Sequence, residues 1–298
     1  VPKSLRVPRA MLLALTIIYL ALGEFFVIRL AERSKTTAAN LLESRAVAIQ
    51  LALDRMADRD RSAAMVVASL PEVREALSGL PGSAEAAASV VRMHVRADPL
   101  LEAAKFEGLT LVDGTGRVVP ARGSDSVGMR TLPAQRDFLA LAINAKAAHS
   151  EVIPSVGPAV DFDQQKRVGA PVLFVAAAVR DPRGRSVGAV VLRVRPSQRI
   201  DPILRGHRGT GTADGVTFRR DGLAVSATRF DGELAAAGAL PDGRSSALNL
   251  MLYVPRGDST ERGGSADTPS VRALTTAVTS AISGASGSNV DGYVNARG

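Results

Sequence analysis

The stretch APVLFVAAAVRDPRGRSVGAVVLRVRP, residues 170–196, limits what this chain can fold into more than any other. Two apolar runs of strand length are joined by Asp181, Pro182, Arg183 and Gly184. Proline pre-sets the second position of a turn, glycine suits its last, and aspartate hydrogen-bonds its own backbone at the first. The pattern predicts a long, tight hairpin. Its flanks are small or apolar at nearly every position instead of alternating, so both faces are expected to be covered and the hairpin to be central in a sheet.

With 298 residues the chain has room for two domains, or for one and an extension. Aromatic content is 4% and Trp is absent, which argues against single-strand nucleic-acid platforms built on stacked rings. The net charge of +8 is spread along the chain, without a dense basic run or a DNA-binding motif, so no nucleic-acid partner is expected. Cysteine is absent, which removes disulfides, thiolate metal sites and cysteine nucleophiles.

Residues 11–28, MLLALTIIYLALGEFFVI, form an apolar run of about the length that spans a hydrocarbon core, interrupted only by Glu24. Lys3, Arg6 and Arg9 precede it and Arg29 alone follows at once. The positive-inside rule then keeps the N-terminus in the cytoplasm and places residues after about 30 outside it. A cleaved signal peptide fits less well, because the run is long for one and no small-x-small cleavage site follows. From Ser34 to Leu70 there is no Pro or Gly, and Leu41, Leu42, Ala48, Leu51, Met56 and Val66 recur at three- and four-residue steps. This predicts that the anchor continues as a long amphipathic helix.

Beyond it, a helix is expected within residues 80–106 and a hairpin around Asp113-Gly114-Thr115-Gly116. A short helix is expected at Ala134 to Lys146, a strand at Glu151 to Ile153, and then the long hairpin. Hairpin, helix, strand and hairpin together make an α+β module with a largely antiparallel sheet. A smaller turn at Asp221-Gly222, a strand in ALNLMLYVP at 247–255, a polar loop at 256–270 and a helix around Val271 to Ile282 suggest a second module.

The order of these segments resembles the double Cache family, PAS-like extracytoplasmic sensor regions of bacterial transmembrane receptors. The resemblance rests on the long helix, LVDGTGRVV, QRDFLALA, VAAAVRDPRGRSVGAVVLRV, GHRGTGTADGVTFRRDGLAVSATRF and VDGYVNARG, in that order. It implies a transmembrane anchor running into a long helix, followed by two stacked PAS-like modules with antiparallel sheets. The corresponding division is a cytoplasmic tip and anchor at 1–32, a helical stalk and connecting helix at 33–107, a membrane-distal module at 108–205 and a membrane-proximal module at 206–298. The last is expected to be cut short, as part of a larger receptor with a kinase, cyclase or chemoreceptor output. The resemblance further implies a small-molecule ligand in the distal module and a homodimer through the long helices.

For ligand-binding residues, Arg136 matches the position where amino-acid-binding members hold the ligand carboxylate, and a guanidinium fork suits that task. Phe138 and Leu139 stand where those members use Trp and Tyr, and Arg193 where they use an Asp for the ammonium group. A cation there leaves two readings, a small anionic ligand such as a carboxylate, or a pocket that is not an amino-acid site. The alternative reading of Arg136 is a surface arginine paired with Asp137 or Glu151, and that of Arg193 an outward-facing strand residue. Arg130, Phe174 and Arg180 are further candidates on spacing.

His94, His149 and His207 stand far apart and in no metal-ligand spacing. There is no G-x-S-x-G elbow or P-loop, and no carboxylate pair stands out, so neither catalysis nor a cofactor is expected. The competing reading is a membrane-anchored interaction or scaffolding module without a small-molecule ligand, and a hydrolase is a distant third.

Overall fold

The computed structural model describes residues 9–79, 83–119, 133–157, 159–160, 166–207, 215–241, 243–253 and 274–285, with the side chains of 9–15, 133–135, 159–160 and 166–167 excepted. Helix α1, Arg9–Ala68, is a single element of 60 residues, about 90 Å long at the usual rise. Its described residues up to 38 are all exposed. Only its later turns dock, through Ile49, Leu53, Met56, Ala63, Ala64 and Val67. Among the described residues no helix is long and apolar enough to cross a membrane. The side chains of 11–15, which complete the apolar run at 11–28, lie outside those described.

Pro71 opens α2, Pro71–Ser78, at a position where its missing N–H costs nothing. Ser83 then caps α3, Ala84–Ala103, by accepting from the Ala86 amide at 3.1 Å. Strands β1, Gly108–Asp113, and β2, Val118–Val119, follow, and then α4, Pro133–Ala145. Short strands come next: β3, Ala147–His149; β4, Ile153–Pro154; β5, Ala159–Val160; and β6, Lys166–Arg167. The expected long hairpin is β7, Pro171–Arg180, and β8, Ser186–Val194. Helices α5, Pro196–Gly206, α6, Asp231–Ala236, and α7, Thr276–Ile282, complete the described elements.

The main sheet is antiparallel in the order β2-β1-β8-β7-β3, with β4 also on β7. The long hairpin is therefore central, as its apolar flanks predict. Its turn forms as the residues dictate. The Asp181 amide donates to the Arg185 carbonyl at 2.8 Å, the Gly184 amide donates to the Asp181 carbonyl at 2.9 Å, and Gly184 takes φ 79°. Together with the surrounding helices this gives a mixed helix and antiparallel-sheet fold.

Strand alternation divides the sheet into two faces. Leu109 and Leu111 of β1, Leu173, Val175, Ala177 and Val179 of β7, and Val190, Leu192 and Val194 of β8 share the main core with α1, α2, α3 and α5. Val112, Ala176 and Ala189 face the other way, under Phe138, Leu139 and Ala142 of α4.

Three expectations need correction. In place of one strand at Glu151 to Ile153 there are two short ones, β3 at Ala147–His149, where Lys146 at φ 75° turns the chain out of α4, and β4 at Ile153–Pro154, which overlaps the expected strand only at Ile153. Residues 247–249 form a turn instead of starting a strand, with Leu248 at φ 61°. In the second segment the described residues hold isolated bridges, Phe218 with Ala224, Leu223 with Met251 and Tyr253 with Leu274, in place of a regular sheet. The turn at Asp221-Gly222 does form, with the Gly222 amide on the Arg219 carbonyl at 2.9 Å.

Candidate functional site

The face under α4 carries the residues singled out in the sequence. Across its centre Gly108, Arg193 and Phe174 form one row, because Arg193 is the register partner of both Gly108 on β1 and Phe174 on β7. Directly paired residues project to the same side of a sheet, so the guanidinium and the aromatic ring share this face. Arg193 thus lies on the face of β8 turned away from the main core, half-buried.

Gly108 leaves room for the arginine. A Cβ at this glycine would lie 3.7 Å from Arg193 Nε and Nη2, so the guanidinium lies along the bare backbone of β1. Arg193 is half-buried, and its Nε is removed from solvent with no hydrogen-bond partner among the described residues. Leaving a buried donor unsatisfied costs about 1–3 kcal/mol, and more when the group is charged. Phe174 beside it is also half-buried and links the α4 cluster to Val172, Ala170 and Ile153.

The other candidates differ in their settings. Phe138 and Leu139 are buried in the α4 cluster as packing residues. Arg136, two residues before Phe138, is exposed. The alternative partner considered for it, Glu151, instead faces Arg219 of the second segment at 3.6 Å. Arg180 is a structural tie. Its Nη2 donates to the Ile143 carbonyl on α4 and its Nη1 to the Gly184 carbonyl, both at 3.0 Å. Arg130 lies outside the described residues.

No family model matches the chain, and no curated protein does. Solved structures do match. The sensor domain of the Escherichia coli protein DcuS is 15% identical with a TM-score of 0.37, covering 52% of this chain and 98% of that one. The sensor domain of the Vibrio cholerae histidine kinase DctB is 17% identical with a TM-score of 0.41, covering 60% of this chain and 61% of that one. The ligand-binding domain of the Campylobacter jejuni chemoreceptor Tlp3, in complex with L-valine, is 13% identical with a TM-score of 0.43, covering 70% of this chain and 75% of that one.

The opposite face of the sheet holds a buried charged cluster that sequence reasoning missed. Asp60 of α1 and Arg199 of α5 pair at 3.3 Å with side chains 1% and 6% exposed. Arg199 also donates to the Ala104 carbonyl and stands 5.2 Å from the centre of the Phe106 ring. Burial pulls its pKa below the ordinary arginine value, against the opposing pull of Asp60. His149 of β3 reaches α1 here too, with Nε2 3.0 Å from the Ala57 carbonyl oxygen. The pair was not legible because its members stand on elements that only the folded topology brings together.

Among the described residues no group of His, Cys, Asp or Glu is arranged to hold a metal ion. The chemistry that the α4 face offers is a half-buried cation in register with an aromatic side chain. That combination suits recognition of a small anion with an apolar part.

Proposed function

We propose that this chain is the ligand-sensing, extracytoplasmic region of a bacterial signal-transducing receptor, and that its ligand is a small anion held on the α4 face of the central sheet. The observation that carries the reading is the half-buried guanidinium of Arg193, with an unpartnered buried Nε, set beside Phe174 on an unbroken sheet floor. A carboxylate would accept from the Nη groups of the guanidinium, and two parallel N–H donors would fix its orientation. Phe174 would cover the ligand's apolar part. Arg130 and Arg136 stand close in sequence to the buried turns of α4 and are offered as outer contacts.

The division into anchor at 1–32, stalk at 33–107, distal module at 108–205 and proximal module at 206–298 belongs to this proposal. So does a membrane span over residues 11–28, supported by the apolar run and its flanking Lys3, Arg6 and Arg9. The outward side of α1 supports a second copy as partner. Val47 and Leu51 lie one turn apart and are 60% and 48% exposed, away from the core residues Leu53 and Met56.

The test is a thermal-shift and calorimetric screen of the chain against acetate, succinate, benzoate, amino acids and amines. A ligand that binds only the folded state raises the melting temperature with the logarithm of its concentration over Kd. Binding of a carboxylate that is lost in Arg193→Met is expected. Binding of amines or zwitterionic amino acids that survives Arg193→Met would overturn the anion reading. Failure of every small molecule to bind a folded sample would favour the scaffolding alternative.

A further inference from the structure

The cluster around Asp60 has a property that the ligand reading does not use. His149 lies on β3 at the α1 side of the sheet and is half-buried. Its Nε2 faces the Ala57 carbonyl oxygen, which only accepts, so Nε2 carries the proton and Nδ1 is the position open to titration. The charged groups that face the ring are Asp60 and Arg61 of α1 and Arg199 of α5, while its register partner on β7 is Val175.

Among the described residues the carboxylate that acts on the ring, Asp60, is already engaged. Asp60 pairs with Arg199 at 3.3 Å and has Arg59 at 3.6 Å as well. An imidazolium at 149 would add a further cation beside Arg61 and Arg199 without a counter-charge of its own. In a partly desolvated site like charges repel strongly, and burial itself disfavours the charged ring.

The ring also sits at a mechanically useful place. α1 runs unbroken from its exposed N-terminal half into this contact, and β3 follows α4 after a single residue. His149 therefore joins the edge of the sheet that carries α4 to the helix that leaves the body.

We infer that His149 is a proton-sensitive clasp, whose protonation loosens α1 from the sheet and from α5, so that acidification acts on the long helix directly. The inference does not depend on an anion at Arg193. Burial, ahead of all other influences, holds the His149 pKa below the ordinary 6.5, with Arg61 and Arg199 acting in the same direction and the Ala57 carbonyl and Asp60 opposing. A base whose folded pKa is depressed contributes no penalty while neutral, and destabilises the docked state as pH falls below its unfolded value.

Because the chain has no cysteine, spin labels can be placed uniquely at Ser62→Cys on α1 and Gln198→Cys on α5, both exposed positions. Their distance is measured in the full chain in detergent as pH is lowered from about 8 to about 5, a range that brackets histidine titration. The expected result is a broadened or lengthened distribution with a midpoint below 6.5. His149→Gln, whose side-chain amide can still donate to Ala57, is expected to keep the neutral-pH distance at all pH values. His94→Gln and His207→Gln are expected to leave the transition in place. An unchanged wild-type distance, or a transition that survives in His149→Gln, overturns the inference. The ring's own titration, followed by NMR in the unmutated chain, gives a second reading, and a midpoint at or above 6.5 overturns it as well.

Discussion

Arg199 Nε stands 3.3 Å from Asp60 Oδ2 with both side chains almost wholly removed from water, and this contact ties the long helix α1 to α5. Removing one member of such a pair leaves an uncompensated buried charge, which costs about 3–5 kcal/mol, whereas replacing both by apolar groups is often neutral. Asp60→Ala and Arg199→Ala are each expected to lose that much in urea denaturation. The double change Asp60→Leu with Arg199→Met is expected to recover most of it. A single variant as stable as the parent would mean that water reaches the site.

Gly188 on β8 is required for a steric reason. A Cβ there would lie 2.3 Å from the Val112 carbonyl oxygen of β1 and 3.1 Å from a methyl of Leu77 on α2. The first clash is with backbone, which cannot swing away. Gly188→Ala is expected to cost about 3 kcal/mol, at the upper end of ordinary overpacking, and to expose β1 amides to hydrogen exchange. Gly184→Ala differs in cause, since that turn has open space but φ 79°. Its expected penalty is smaller, about 1 kcal/mol.

These two glycines show where sequence was informative. The hairpin at 171–194 was legible because Asp181, Pro182 and Gly184 each have a turn preference that tertiary contacts reinforced. Helix α5 was not, because Pro196 and Pro202 resemble helix breakers while in fact one begins the helix and the other is accommodated within it. The apolar run at 247–255 reads as a strand, yet Leu248 adopts a left-handed backbone and the run contributes only bridges at Met251 and Tyr253. At the candidate site, Arg193 and Phe174 were visible as residue types. Their shared row with Gly108 depends on β1 pairing with β8, a register that no local pattern encodes.

The two hairpin turns make the fold sensitive to acid. Burial raises the pKa of the Asp113 carboxyl, but hydrogen bonds from the Thr115 hydroxyl and the Arg117 and Thr115 amides, with the Arg117 charge, outweigh it and leave the group below its usual 3.8. Asp181 is lowered by the Arg185 amide first, against the opposing effect of desolvation, and then by the Arg185 side chain and the Arg183 amide. A carboxylate with a depressed folded pKa stabilises above its unfolded value and loses that contribution as pH falls through the folded one. The melting temperature is therefore expected to drop below about pH 4, and Asp113→Asn, which keeps an acceptor oxygen but no charge, to flatten that drop. An unchanged acid profile in Asp113→Asn would remove this turn as a source.

The outward side of α1 predicts an assembly. Val47 and Leu51 stand one turn apart and largely exposed, and Met65 is 40% exposed further along the same helix. Helix faces with this spacing are covered when two copies pack along their length, and a charge introduced at the seam opposes that packing. In sedimentation of the chain in detergent, the parent is expected to be dimeric and Val47→Glu with Leu51→Glu monomeric. Neither side chain belongs to the core contacts of Leu53 and Met56, so the folded protomer is expected to keep its melting temperature at low concentration. A parent that sediments as a monomer at every concentration would instead leave this stripe exposed on a single long helix, and the receptor reading would lose its dimer.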